Sequence, residues 1–177
     1  MTTRRHAATL ALLLLALAPG VAARDRDDVA TPPKPTGPQE VEVMAVAVDQ
    51  ETQVPVIVLQ GKRDRRTLAM SIDPAQALGI AAPLNGVTPS RPLTHDLFLT
   101  IFDRLNVTVT RAVITDFRDD IYYATLYLAA PGAPLALDAR PSDAIALAIR
   151  AKAPVFVEDR VFDKTSTPAL LRRRPSI

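Results

Sequence analysis

Two short stretches of this sequence carry the side chains that could do chemistry. One is His95-Asp96, directly before an amphipathic run, and the other is the Asp-Ala-Arg-Pro-Ser-Asp stretch at 138–143, directly before an alanine-rich apolar run. If the two stretches meet in space, they bring together carboxylates, an imidazole and a guanidinium. Carboxylates suit a hard cation such as Mg²⁺, a bound metal can polarise a phosphoryl group, and an arginine can hold a phosphate through two hydrogen bonds. Such a meeting would suit chemistry on phosphate esters, but the sequence does not give the distance between the two stretches.

Each stretch also has a purely structural interpretation. Pro141 suits the first turn of a helix, and Asp143 would interact there with unpaired N–H groups and the positive end of the helix dipole. The stretch could then be a helix cap with a local Asp–Arg pair. His95, the only histidine outside residues 1–23, either makes a local hydrogen bond or acts as a general base or metal ligand, because the pKa of histidine lies near neutrality.

Two helices and a strand must position these side chains. Leu97, Phe98, Ile101, Phe102 and Leu105 have the spacing of one helix face, with Thr94 as a predicted N-cap. The apolar residues from 144 to 151 predict a thin helix that packs closely against a sheet. Before it, Leu135 and Leu137 alternate with smaller residues, which is typical of a half-buried strand.

The rest of the folded domain is predicted to contain short strands and one more helix. Apolar runs within 41–72, separated by polar turns, predict three strands in an antiparallel meander. A short helix, 75–78, is predicted to end at Gly79, and 81–92 is predicted to be a loop because it contains three prolines. Residues 107–114, 121–128 and 155–157 predict further strands.

Composition excludes several classes of site. The chain has no cysteine, so it has no disulfide, thiolate zinc site or cysteine nucleophile. The formal charge is +2, but without Arg4 and Arg5 the count is 19 basic against 19 acidic residues. The chain therefore lacks the overall basic excess of a protein that holds nucleic acid through many phosphates.

The ends of the sequence differ from its middle. Residues 1–23 have two arginines, an apolar run and small residues before a cleavage site, which predicts a signal peptide. Residues 24–39 are a proline-rich linker, 40–165 form the folded domain, and 166–177 are a disordered basic tail. We expect a periplasmic or secreted protein of the bacterial envelope, with no stable membrane span after signal cleavage.

The sequence resembles the bifunctional nuclease (BFN) domain family, formerly a domain of unknown function. Residues 92–97 and 138–148 are similar to its two signature stretches, and 121–126 and 154–157 follow its pattern in order. The resemblance covers about residues 40–165. One departure lies after the third strand, where the family's Trp, Gly and Glu are absent and Asp73 is the nearest carboxylate, at a shifted position.

The resemblance implies a single α+β domain with a mixed, mostly antiparallel sheet and two main helices packed on it, assembled as a homo-oligomer. Some members are described as nucleases acting on DNA and RNA. The matching polar positions are His95, Asp96, Asp138, Arg140, Ser142 and Asp143.

Two functions follow as hypotheses. In the first, the protein is an exported nuclease that hydrolyses DNA, RNA or both, with His95, Asp96 and Asp143 as catalytic residues. Arg140 and Ser142 then bind the substrate, and Mg²⁺ or Mn²⁺ is held by Asp96, Asp138 and Asp143. In the second, the same fold is a non-catalytic binding or assembly module, and the polar corner is structural.

Overall fold

In the computed structural model, residues 36–165 are described, and they fold into seven strands and four helices. The strands are β1 (Gln39–Val48), β2 (Pro55–Gly61), β3 (Thr67–Ser71), β4 (Thr108–Arg118), β5 (Ile121–Ala129), β6 (Leu135–Ala139) and β7 (Val155–Val157). The helices are α1 (Pro74–Leu84), α2 (Thr94–Arg104), α3 (Pro141–Ala151) and α4 (Asp159–Thr165). The predicted signal peptide, most of the linker and the basic tail lie outside the described residues.

The seven strands form one sheet in the order β3-β2-β1-β7-β4-β5-β6. Neighbouring strands run antiparallel except β7 and β4, which are parallel. The short strand β7 therefore joins two antiparallel meanders, and its Val155 and Val157 are buried. The prediction of an α+β domain with a mixed, mostly antiparallel sheet is confirmed.

The sheet is strongly curved. The hydroxyl of Tyr122 on β5 donates a hydrogen bond of 3.3 Å to the carbonyl of Ala69 on β3. Four strands lie between β3 and β5 in the sheet order, so these two strands can meet only if the sheet curls back towards itself. At the same end, β4 and β5 are joined by Asp119 and Asp120, whose φ angles of 52° and 60° suit the tight turn of a hairpin.

Three helices meet at α3. The middle of α3, from Ala144 to Ala148, is buried, and the helix packs on β4, β5 and α1. Helix α2 contacts α3 and has no fully buried residue, so it is an outer helix. Helix α4 packs on β4 and β3 through the buried Val161 and Phe162.

Helix α1 corrects one prediction. It does not end at Gly79 but continues through that residue to Leu84, with Pro83 in its last turn, and it is as long as α2 and α3. Pro83 has no N–H, so it cannot donate to the carbonyl of Gly79, four residues earlier. Arg150 of α3 donates to that carbonyl instead. The loss of this hydrogen bond made a helix here look unfavourable, and the contact from α3 replaces it.

Within residues 36–165, every helix is too short or too polar to cross a membrane.

Candidate functional site

The start of α2 and the start of α3 lie side by side. His95, the second residue of α2, has its Nε2 atom 3.4 Å from Oδ1 of Asp143, the third residue of α3. These residues are 48 positions apart in the chain, so the contact depends on the packing of the two helices. The fold therefore brings an imidazole and a carboxylate together.

Arg140, the N-cap of α3, joins this pair. Its Nε donates to Oδ2 of Asp143 at 2.7 Å and its Nη2 to Oδ1 at 3.2 Å, which is a two-pronged ion pair. This contact raises the pKa of Arg140, which stays cationic. The third nitrogen, Nη1, lies 3.7 Å from Oδ2 of Asp73. With its amide oriented to suit both neighbours, Gln76 accepts from Arg140 and donates to Asp73.

Gly79 makes room for the histidine ring. A Cβ atom at Gly79 would lie only 2.8 Å from Cε1 and 3.0 Å from Nδ1 of His95. The ring is thus held between α1 and Asp143, and its side chain is only 12% exposed. Sequence reasoning missed this role, although a glycine inside an apolar helical run is a sign of close packing.

The hydrogen-bond partners of Asp96 lie outside the cluster formed by His95, Asp143 and Arg140. It accepts hydrogen bonds from the N–H of Leu93 at 2.8 Å and from Nε of Arg150 at 2.7 Å. Burial pushes the pKa of Asp96 upward, but the two hydrogen bonds and the nearby charges outweigh it, so this pKa lies below its ordinary value. Asp96 therefore caps α2, with Leu93 rather than the predicted Thr94 as N-cap, and ties α2 to α3.

The two remaining predicted residues, Asp138 and Ser142, differ in their exposure. Asp138 is exposed on β6 and pairs with Thr125, whereas its neighbour Leu137 pairs with the buried Leu126. Since residues paired across antiparallel strands share a face, Asp138 lies on the face of the sheet opposite the core. Ser142 is buried in the first turn of α3.

A cleft of about 340 Å³ lies beside the cluster, between the end of β3, the start of β5 and the start of α3. Arg140, Ser142 and Asp73 line it on one side. Burial raises the pKa of Tyr122, another lining residue, to about 12, so its hydroxyl is neutral. The cleft is lined by Val54, Met70, Ser71, Ile72, Asp73, Asp120, Ile121, Tyr122, Arg140, Pro141 and Ser142.

The predicted Mg²⁺ or Mn²⁺ site has no matching set of ligands in the part of the chain that the structure describes. No three His, Asp or Glu side chains between 36 and 165 are placed to hold a metal ion together. Asp143 is held by Arg140, Asp96 by Arg150, and Asp138 lies on the outer face. These residues do not fit a cation held by three side chains.

Comparison with known proteins gives one matching family model and several related sequences. The model of the bifunctional nuclease domain matches residues 57–169. An uncharacterized protein of Mycobacterium tuberculosis (strain ATCC 25618 / H37Rv) is 34% identical over 122 residues, which is 69% of this chain and 73% of that protein. Bifunctional nuclease 1 of Oryza sativa subsp. japonica is 34% identical over 85 residues, which is 46% of this chain and 26% of the rice protein.

Proposed function

Because the chain belongs to the bifunctional nuclease domain family, we propose that it is a hydrolase that cleaves phosphodiester bonds of DNA, RNA or both. The observation that carries the proposal is the cluster of His95, Asp143 and Arg140 beside the cleft. An imidazole that can move a proton, a carboxylate beside it and a cation for the phosphate are the groups that such a reaction uses. Rice proteins named bifunctional nuclease, similar over part of their length, support it.

The geometry limits how His95 can act. Its Nδ1 faces Gly79 of α1, so proton transfer goes through Nε2, the nitrogen that faces Asp143. The 3.4 Å separation from Asp143 is longer than a normal hydrogen bond, so Asp143 engages Nε2 only weakly. Asp143 stays in place because Arg140 holds both of its oxygens.

Arg140 binds the phosphate through its remaining nitrogen. Nε and Nη2 are engaged with Asp143, whereas Nη1 has only the longer contact with Asp73. The side chain is 59% exposed and lines the cleft, so a phosphate oxygen can reach Nη1. Ser142, also on the cleft wall, is the second substrate-binding residue in this proposal.

A non-catalytic binding or assembly module is the second candidate, and one observation favours it. The charged groups of both helix openings already have partners within the fold: Asp143 with Arg140, and Asp96 with Arg150. A corner that only stabilises the packing of three helices would have the same ion pairs.

A cleavage assay separates the two candidates. The full chain is incubated with end-labelled single-stranded DNA, RNA and duplexes, in Mg²⁺, in Mn²⁺ and in chelator. We expect cleavage by the parent and its loss in the His95→Ala variant. Equal cleavage by a folded His95→Ala variant, or none by the parent in any of the three conditions, contradicts the nuclease proposal. The chelator arm measures whether a divalent ion is needed, although side chains of residues 36–165 form no three-ligand site.

We also propose that the protein is exported to the periplasm or the medium. The support is the order of charged, apolar and small residues in 1–23. Fractionation of producing cells with N-terminal sequencing is expected to find the mature chain outside the cytoplasm, starting near residue 24. An intact N-terminus in the cytoplasmic fraction contradicts the proposal.

A homo-oligomer is the last part of the proposal, and an apolar stripe on α2 supports it. The stripe consists of Leu97, Phe98, Ile101 and Leu105, which are 44% to 59% exposed, whereas Leu99 and Phe102 of the same helix pack on the core. A monomer gains nothing from such a surface. Because the stripe contains no charged side chain, two copies related by a two-fold axis can bury it against each other.

The stripe gives a direct prediction. Light scattering after size exclusion is expected to show a dimer or larger assembly for the parent and a monomer for Ile101→Asp, because a charge in the stripe cannot be buried unpaired. Val87→Asp is the matched control, since Val87 is exposed to a similar degree (57%) but lies in the loop after α1. A monomeric parent, or an assembled Ile101→Asp variant, contradicts this interface.

A further inference from the structure

We infer that the cleft binds one unpaired nucleotide, with its phosphate at Arg140 and its base in the apolar part of the cleft. This inference rests on the proposed function and gives its substrate class. The cleft lies at the seam of the curled sheet, where β3 and β5 approach each other. Its volume of about 340 Å³ is at the low end for small-ligand sites, which suits a single nucleotide.

The lining matches the two parts of a nucleotide. The lining contains Arg140 and Ser142, next to the His95–Asp143 pair. It also contains apolar side chains, of which Val54 and Ile121 are 37% and 54% exposed. These side chains suit the flat faces of a base. The carboxylate of Asp120, next to Ile121 in the lining, can accept a hydrogen bond from its amino group.

The formal charge of residues 36–165 argues against a binding surface that contacts many phosphates in a row. Residues 36–165 contain 13 lysines and arginines against 16 aspartates and glutamates, a formal charge of −3. Many basic side chains are already engaged: Arg63 and Arg66 pair with Asp159, and Arg111 lies over Tyr127. Affinity for a long duplex comes mainly from many phosphate contacts, so binding here must be concentrated at the cleft.

The base must be unpaired to use this site. In a duplex each base is stacked and paired, and it has to be extruded before a pocket can receive it. With a formal charge of −3, residues 36–165 gain little electrostatic energy from a polyanion to offset that cost. We therefore expect single strands, frayed ends or loops to bind, and duplexes to bind at least about tenfold more weakly, since unpairing costs a few kcal/mol.

Binding of a labelled single-stranded hexanucleotide to the full chain, measured by fluorescence anisotropy in chelator, tests this inference. The logarithm of the association constant is expected to fall with the logarithm of salt concentration with a slope of about −0.7, the value for one neutralised phosphate on a single strand. Ile121→Ala is expected to raise Kd about tenfold, because it removes apolar contact in the pocket. Arg111→Ala, a basic side chain on a different surface, is the matched control and should leave Kd unchanged.

Four results overturn the inference: no binding, equal affinity for the hexanucleotide and for a hairpin that holds the same sequence paired, a salt slope steeper than about −2, or no effect of Ile121→Ala. Failure of the proposed function looks different. A chain that binds the single strand as described but does not cleave it keeps the inference and loses the nuclease activity. A chain that cleaves duplex and single strand equally, through a His95-dependent reaction, keeps the activity and loses the inference.

Discussion

The His95→Ala variant is expected to cleave phosphodiester bonds about 10²- to 10⁴-fold more slowly than the parent, which is the usual contribution of a positioned acid–base group. The physical reason is that His95 Nε2 is the proton-transfer atom nearest to Asp143 and Arg140. The measurement is the single-turnover rate on the best substrate of the cleavage assay. Circular dichroism and the melting temperature show whether the variant is folded.

Two further variants make this prediction specific. Asp143→Asn removes the charge that holds both Arg140 and His95, so its rate should fall by a similar factor, and the double variant should lose little more because the two residues act as a unit. Asp138→Asn is the control, since Asp138 belongs to the same sequence motif but lies on the outer face of the sheet. A rate loss in Asp138→Asn equal to that in Asp143→Asn would contradict the site as placed here.

Gly79→Ala tests the same pair without removing either member. The new Cβ would lie 2.8 Å from the His95 ring, so the ring must move, and a displacement of about 1 Å can cost about 10² in rate. Alanine also favours the helix by about 1 kcal/mol, so the melting temperature should not fall as the rate does. A fully active Gly79→Ala variant would mean that the position of His95 does not matter for the reaction.

The parts of the site that could be predicted from the sequence are those that depend on local patterns. Residue types and helical spacing identified the openings at His95 and Asp143, because caps and amphipathic faces are local properties. The sequence could not show which acid meets which base. Asp96 pairs with Arg150, 54 residues away, and Arg150 reaches Gly79, 71 residues away. Such contacts depend on how the helices pack.

The fold shows the same division. Alternating and β-branched residues predicted most strands, but the position of β7 between β1 and β4 depends on long-range pairing. The half-buried strand predicted at Leu135 and Leu137 is an edge strand on which both leucines are 43% exposed. The leucines of β6 do alternate with smaller residues, but this alternation cannot show whether another element covers the apolar face of the strand. The length of α1 was missed because Gly79 and Pro83 are unfavourable locally and are compensated by other helices.

Replacing Arg150 with methionine is expected to destabilise the domain by about 3 kcal/mol, the cost of breaking a partly buried ion pair and leaving two buried carbonyl groups unpaired. The Arg150 side chain is only 7% exposed. It donates to Asp96, to the carbonyl of Ala146 and to the Gly79 carbonyl that Pro83 cannot serve. One guanidinium thus joins α1, α2 and α3. Methionine preserves the bulk of the side chain but none of these hydrogen bonds.

Denaturant unfolding measures the change in the free energy of unfolding. In thermal unfolding we expect a melting temperature lower by about 10 °C. Arg104→Met, at the exposed end of α2, is the matched control and should change stability by less than about 0.5 kcal/mol. Arg150→Lys keeps the charge but not the fork of donors, so its loss should be intermediate. A methionine variant as stable as the Arg104→Met control would mean that the three helices do not depend on this side chain.

The pH dependence of the same variant separates the ion pair from simple packing. The pKa of Asp96 is below its ordinary value of 3.8, so its ionised form stabilises the fold above that pH, and this contribution is lost as the pH falls through the lower, folded-state pKa. In Arg150→Met one of the groups that lower this pKa is gone, so the acid loss of stability should be smaller than in the parent. The difference between parent and variant should therefore narrow below about pH 4. A difference that stays constant from pH 7 to pH 2 would show that Arg150 acts through packing and its carbonyl bonds rather than through Asp96.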